Sequence, residues 1–205
     1  MTRPSRRWAL TILGVRLAAV AAVTLILWTL VRVTSGVNAF PPNTLWATLG
    51  LLPVNVLCFL LAQRWLRTEG KTVAAALGFD RRRLDRNVLW GGLLWLVVLN
   101  IPFMLAITGS VFLLYGSEAP QAFETIFYNP DSEVALAPVP LLLVSIVAVV
   151  PFMFLNAPTE ELVVRGIALD GLRTRWGTPA AIAVSSLAFG AQHIAFAPTA
   201  PGMLV

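Results

Sequence analysis

Long uncharged apolar runs constrain this chain more than any other feature. Residues 139–156 form a run of 18 without a charged side chain, and residues 88–115 form a run of 28. A helix needs about 20 apolar residues to cross the roughly 30 Å hydrocarbon core of a bilayer. Charged residues make up 12% of the chain, whereas a typical soluble domain has about 25%. The sequence therefore predicts an all-α fold, a polytopic transmembrane helix bundle.

About five apolar segments are predicted to cross the membrane. They are residues 8–33, 44–62, 88–115, a segment that begins near Val139, and residues 179–196. Arg16 interrupts the first segment, and we expect its guanidinium to reach the cytoplasmic interface along its apolar stem.

The charges between these segments predict the topology. The link 64–87 is rich in arginine, whereas the loop 116–138 holds four acidic residues and no lysine or arginine. Because positive residues favour the cytoplasmic side, we expect the N-terminus and the basic link inside the cell and the acidic loop outside. The net charge of +5 then reflects topology, so the expected partner is the lipid bilayer and not nucleic acid. The abundance of Ala, Arg, Val and Leu is typical of a bacterial source, which makes the cell membrane the expected location.

Charged residues return abruptly in the stretch NAPTEELVVRG, residues 156–166. Pro158 predicts a helix start or a kink, because its ring removes a backbone donor. Beyond it, Glu161 and Arg165 are four residues apart on one helix face and can form an ion pair. Glu160 lies about 100° around the helix from Glu161. Both carboxylates can therefore border one cavity while Arg165 neutralises only one of them.

The single histidine is placed symmetrically to this stretch. Glu160 lies 17 residues before Gly177 in the turn WGTP, and His193 lies 16 residues after it. If the two flanking segments form an antiparallel hairpin, the equal rise of about 1.5 Å per residue brings both side chains to the same depth. Ionisable residues inside a bilayer are costly and tend to be paired or functional. The candidate catalytic residues are therefore Glu160, Glu161, Arg165 and His193.

These residue types point to hydrolysis. A carboxylate in a partly dry site can take a proton from water and return it later, and a histidine beside it can orient that water or stabilise a developing oxyanion. Glu and His are also zinc ligands, so a zinc-assisted route and a metal-free glutamate route are equally open. Other intramembrane hydrolases fit less well. One histidine cannot supply H-E-x-x-H, a G-x-G-D element is absent, and Ser110 gives only a weak G-x-S-x setting.

The two motifs resemble those of a known family. EELVVRG resembles the E-E-x-x-x-R motif of the CAAX prenyl protease and bacteriocin-processing (CPBP, or Abi) family, and FGAQH resembles its F-x-x-x-H motif. The resemblance implies an intramembrane endopeptidase in which Glu160 activates water with support from Glu161. It also implies that Arg165 holds the carboxylates and that His193 stabilises the site or binds a metal. The implied substrate is a peptide or a membrane protein.

The resemblance covers the end of the chain only. Residues 139–205 form the family-like core, whereas residues 1–138 match only as a set of membrane spans. The family has a third element, a second histidine followed by Asn or Asp on a later helix, and this sequence has one histidine. We therefore expect the core to be incomplete at its C-terminus and the chain to be truncated relative to the family bundle.

Two alternatives come from other functional classes. One is a catalytically inactive relative that serves as a membrane immunity or scaffold protein, which the missing third element favours. The other is a small transporter with a proton relay, which the polar residues of the second and third segments, Asn55 and Asn100, support only weakly.

Overall fold

Helices account for nearly all of the structure, as the sequence predicts. The computed structural model describes residues 6–77, 86–127, 130–133 and 137–197, and no strand occurs among them. The elements are α1 (Arg6–Ser35), α2 (Thr44–Thr68), α3 (Val73–Ala76), α4 (Arg86–Tyr115), α5 (Ala119–Phe127), α6 (Pro138–Glu160), a π-helical segment (Glu161–Leu169) and α7 (Asp170–Ala191), with 3₁₀ turns at Gly116–Glu118, Pro130–Ser132 and Gln192–Ala195.

Four stretches of the described chain are helical, long and apolar enough to cross a membrane. They are Arg7–Ser35, Thr44–Thr68, Trp90–Ala122 and Pro138–Ala195. The last has 58 residues, and its backbone leaves helical geometry at Gly177, with φ 75° and ψ 166°. The chain folds back there, so the two arms of this stretch correspond to the predicted fourth and fifth segments. A multi-pass helical membrane protein is the class that these spans define.

The two arms of this hairpin pack with α1 and α2 in one core. Its buried residues include many small side chains, among them Ala9, Ala62 and Ala168. Helix association inside a membrane depends on close van der Waals packing, which small residues allow. Gly50 on α2 shows this, because a Cβ atom there would lie 2.6 Å from Val23 Cγ1 on α1. These contacts hold α1 and α2 against the part of the hairpin that carries the charged motif.

Helix α4 has a different environment. Its apolar side chains are largely exposed, with Leu113 at 90% and Leu96 at 67%. Its buried contacts in the described chain join Val111 to α5 through Ala122 and Ile126. A helix that is apolar on all sides and yet exposed is suited to hydrocarbon, which agrees with the predicted span.

Pro158 does not start a helix, because α6 continues through it to Glu160 and passes directly into the π-helical segment. Parts of the N-terminus with Arg3, of the basic link with Arg81, Arg82 and Arg83, and of the acidic loop lie outside the described residues, as does the range 198–205.

Candidate active site

Glu160 stands where α6 changes into the π-helical segment. Pro158 has no backbone N–H, so the carbonyl of Phe154 lacks its usual helical donor at this point. Helices adjust to such a loss by local changes of winding, and single π-helical turns occur often at functional sites. The irregular helix begins three residues after this proline, directly at the two carboxylates.

Both hydrogen bonds that we find on the Glu160 side chain go to Oε1. Arg16 Nη2 donates to this oxygen across 3.1 Å, and Gln192 Nε2 donates to it across 2.9 Å. The Glu160 side chain is 21% exposed. One carboxylate oxygen is therefore fixed by two donors, and Oε2 remains for other partners.

Arg16 does not reach the cytoplasmic interface, and that expectation from the sequence was wrong. Its side chain is 3% exposed. Besides Glu160, its guanidinium donates through Nε to Gln192 Oε1 at 2.6 Å and through Nη1 to Asn55 Oδ1 at 3.0 Å. Burying an arginine is unfavourable unless the charge is paired and hydrogen-bonded, and Glu160 with two amides meets that need.

A second layer of amides completes this network. Asn55 is fully buried and donates from Nδ2 to Asn156 Oδ1 across 3.0 Å. Among the described residues, every buried side-chain nitrogen or oxygen has a hydrogen-bond partner. The network joins α1, α2, α6 and the turn after α7, so four elements fix the position of one carboxylate.

Glu161 and Arg165 form the ion pair that their spacing predicts. Arg165 Nη1 lies 2.6 Å from Glu161 Oε1, and the two side chains are 72% and 47% exposed. Both residues line a cavity of about 290 Å³ together with Glu160 and with apolar residues such as Phe189. The two carboxylates therefore border one cavity, as expected, but each is paired with an arginine from a different helical element.

His193 lines a second cavity, of about 240 Å³, and Glu160 lines this one as well. The hairpin therefore brings the carboxylate and the imidazole to one cavity. His193 Nδ1 lies 3.0 Å from the carbonyl oxygen of Phe189. A carbonyl oxygen only accepts hydrogen bonds, so Nδ1 must carry a proton in this contact. Nε2 is then the nitrogen left for chemistry.

The network contains four residues that the sequence did not identify as part of the site: Arg16, Asn55, Asn156 and Gln192. One signal existed for Arg16. It lies ten residues after the first residue of α1, about 15 Å along the helix, which is deep for an interfacial arginine. Charges inside a membrane tend to pair with one another. Glu160 had no predicted ion-pair partner, so the sequence alone could have pointed to it as the partner of Arg16.

The described residues do not form a zinc site on their own. A catalytic zinc ion usually has three protein ligands, and no group of three His, Cys, Asp or Glu residues lies close enough to hold a metal in the part of the chain that the structure describes. An arginine also contacts each carboxylate, and this positive charge opposes cation binding at both.

Comparison with known proteins agrees with the motifs. Residues 140–205 match the family model described as Type II CAAX prenyl endopeptidase Rce1-like. The match supports the CAAX protease family to which the two motifs pointed, over this part of the chain. No curated protein and no solved structure matches the chain.

Proposed function

We propose that this protein is an intramembrane endopeptidase of the CAAX protease type, which hydrolyses a peptide bond with a water molecule activated by Glu160. One observation carries the proposal. Glu160 and His193, which belong to the two family motifs, line the same cavity. The family match over residues 140–205 supports the reaction class.

The hydrogen bonds of Glu160 suggest how the carboxylate acts. Oε1 already accepts from Arg16 and Gln192, so Oε2 takes the proton of the attacking water. The water oxygen forms a bond to the carbonyl carbon of the peptide, which gives a tetrahedral oxyanion. Glu160 then returns the proton to the amide nitrogen, the C–N bond breaks, and the products are a carboxylic acid and an amine.

His193 acts on the same water or on the oxyanion. With Nδ1–H bonded to the Phe189 carbonyl, the Nε2 of neutral His193 accepts a hydrogen bond from the attacking water and orients it, while the proton goes to Glu160. In its protonated form the same nitrogen donates to the developing oxyanion. Either role requires His193 and Glu160 to act on one molecule in one cavity.

Glu161 and Arg165 support the reaction from the neighbouring cavity. Their ion pair fixes Glu161 beside Glu160. Arg165 thereby offsets the repulsion that two adjacent carboxylates would otherwise exert on each other. In this role neither residue touches the attacking water, so their loss should weaken the reaction less than the loss of Glu160.

The proposed substrate is a peptide or a membrane protein, reached in the cell membrane with the N-terminus on the cytoplasmic side. Lys71 from the basic link and Asp170 near the hairpin turn line one cavity, which supports placing the link and the turn at the same end of the bundle. Protease added to the outside of intact cells should then cut the chain within residues 116–138. Cleavage there only in inverted vesicles would reverse the topology.

The activity is tested with purified protein in liposomes and a random-sequence peptide mixture. Mass spectrometry should detect new peptide termini with the wild type and with the control variant Glu118→Gln, which changes an exposed glutamate after α4. Glu160→Gln should yield these termini about 10²- to 10⁴-fold more slowly. If Glu160→Gln produces termini at the wild-type rate, Glu160 is not the base that activates water.

A further inference from the structure

We propose that Arg16, on the first membrane helix, is the positioning residue of the site: it holds the Glu160 carboxylate in the one orientation that presents Oε2 to the water. This inference rests on the proposed function. It extends the site beyond the segment 140–205 that matches the family model, into a helix that the two motifs do not include.

The geometry of the guanidinium is the first step. Its three nitrogens each donate a separate hydrogen bond, to Gln192, Asn55 and Glu160. The arginine fork is planar and rigid, so three bonds in three directions fix its plane. Nη2 then has one fixed position relative to the end of α6, and Glu160 Oε1 accepts its hydrogen bond at that position.

Gln192 adds the second constraint. Its Oε1 accepts from Arg16 Nε, while its Nε2 donates to the same Glu160 oxygen that Arg16 contacts. Arg16, Gln192 and Glu160 therefore form a closed ring of hydrogen bonds. Rotation of the carboxylate would break two of these bonds at once, which leaves a single favoured orientation.

Because Arg16 is buried, the ring of hydrogen bonds also determines how its charge is compensated. Arg16 is 3% exposed, so bulk water does not solvate its charge when a partner is missing. Removing one member of a buried ion pair leaves an uncompensated charge and is strongly destabilising, whereas removing both charges can be nearly neutral. Changing Arg16 and Glu160 together therefore shows how much of a loss of stability comes from the unpaired charge, separately from any loss of catalysis.

The test compares five variants of the full chain in liposomes, with a peptide that the wild type cleaves. They are Arg16→Met, Arg16→Lys, Glu160→Gln, the double variant Arg16→Met/Glu160→Gln, and the control Arg32→Met. Arg32 lies on the same helix but stacks on Trp28, with its guanidinium carbon 5.4 Å from the ring centre. Thermal unfolding and the separate values of kcat and KM are measured for each.

Arg16→Met should lower Tm by on the order of 10 °C, and the double variant should regain the part that comes from the unpaired Glu160 charge, while the loss of the bonds to Asn55 and Gln192 remains. At temperatures where Arg16→Met is folded, kcat should fall about 100-fold while KM stays within about threefold. Arg16→Lys should recover part of the activity, because it restores the charge but not the fork. Arg32→Met should match the wild type.

Two results would overturn the role of Arg16. A folded Arg16→Met variant with wild-type kcat, next to an inactive Glu160→Gln, would leave the proposed function intact and remove the positioning role alone. A double variant with the same Tm as Arg16→Met would show that the two charges do not stabilise each other, and would remove the ion pair on which the positioning role depends. If Glu160→Gln itself keeps wild-type kcat, the proposed function fails and the positioning role fails with it.

Discussion

Gln192 Nε2 donates a hydrogen bond to Glu160 Oε1 across 2.9 Å, although 32 residues separate the two along the chain. A continuous helix of that length would hold them about 48 Å apart. The reversal at Gly177 is therefore what assembles the site, because it brings the second motif back to the depth of the first.

The reversal should depend on glycine at position 177. Its φ of 75° and ψ of 166° define a conformation that is essentially restricted to glycine, and another residue held there costs about 1–3 kcal/mol. No heavy atom lies within 4 Å of a Cβ added there, so Gly177→Ala should destabilise through backbone strain alone. Equilibrium unfolding should show a loss of about 1–3 kcal/mol.

Gly91→Ala provides the control for that change. Gly91 lies inside α4, and a Cβ atom there also meets open space. Alanine favours helix over glycine by about 1 kcal/mol, so Gly91→Ala should be neutral or stabilising. Equal losses for both variants would mean that the backbone at Gly177 is not strained by a side chain.

Asn55→Ala should destabilise the protein by about 1–3 kcal/mol, because it leaves Arg16 Nη1 and Asn156 without their buried partner. Thermal or denaturant unfolding in detergent measures the change. The control is Asn100→Ala, which removes the same side chain from an exposed position on α4 and should fall within about 0.5 kcal/mol of the wild type. Similar losses for the two variants would contradict the buried network.

The two ion pairs of the site should respond differently to loss of the arginine. Arg165 and Glu161 are 72% and 47% exposed, and exposed pairs contribute about 0–1 kcal/mol. Arg165→Met should therefore change stability by less than about 1 kcal/mol, and added salt should reduce the difference. A loss as large as that of Arg16→Met would show that the Glu161 pair is also structural.

Gly50→Ala tests the packing of α1 on α2. The added Cβ would lie 2.6 Å from Val23 Cγ1, and the branched side chain of valine has little freedom to move away. We expect a loss of about 1–3 kcal/mol, the usual cost of overpacking. Gly14→Ala on α1 meets no atom within 4 Å and serves as the control. If Gly50→Ala is as stable as Gly14→Ala, the helices do not approach this closely.

Much of the fold could be predicted because it depends on local patterns. The spans follow from apolar length, the Glu161–Arg165 pair follows from helical spacing, and the hairpin follows from the turn WGTP between two apolar segments. Arg16 could not be placed this way. A single charge in an apolar helix can be paired or hydrogen-bonded by several different groups. Only the packing of α1 against the hairpin shows that the partners of Arg16 are Gln192, Asn55 and Glu160.

The most direct measurement concerns Glu160 and His193 together. Cleavage of one peptide is compared for Glu160→Gln, His193→Ala and the double variant, each against the wild type. Residues that act as a unit on one water give strongly non-additive losses. We therefore expect the double variant to be no slower than the slower single variant. Losses that multiply in the double variant would mean that the two residues act independently, and would contradict a single site shared by both motifs.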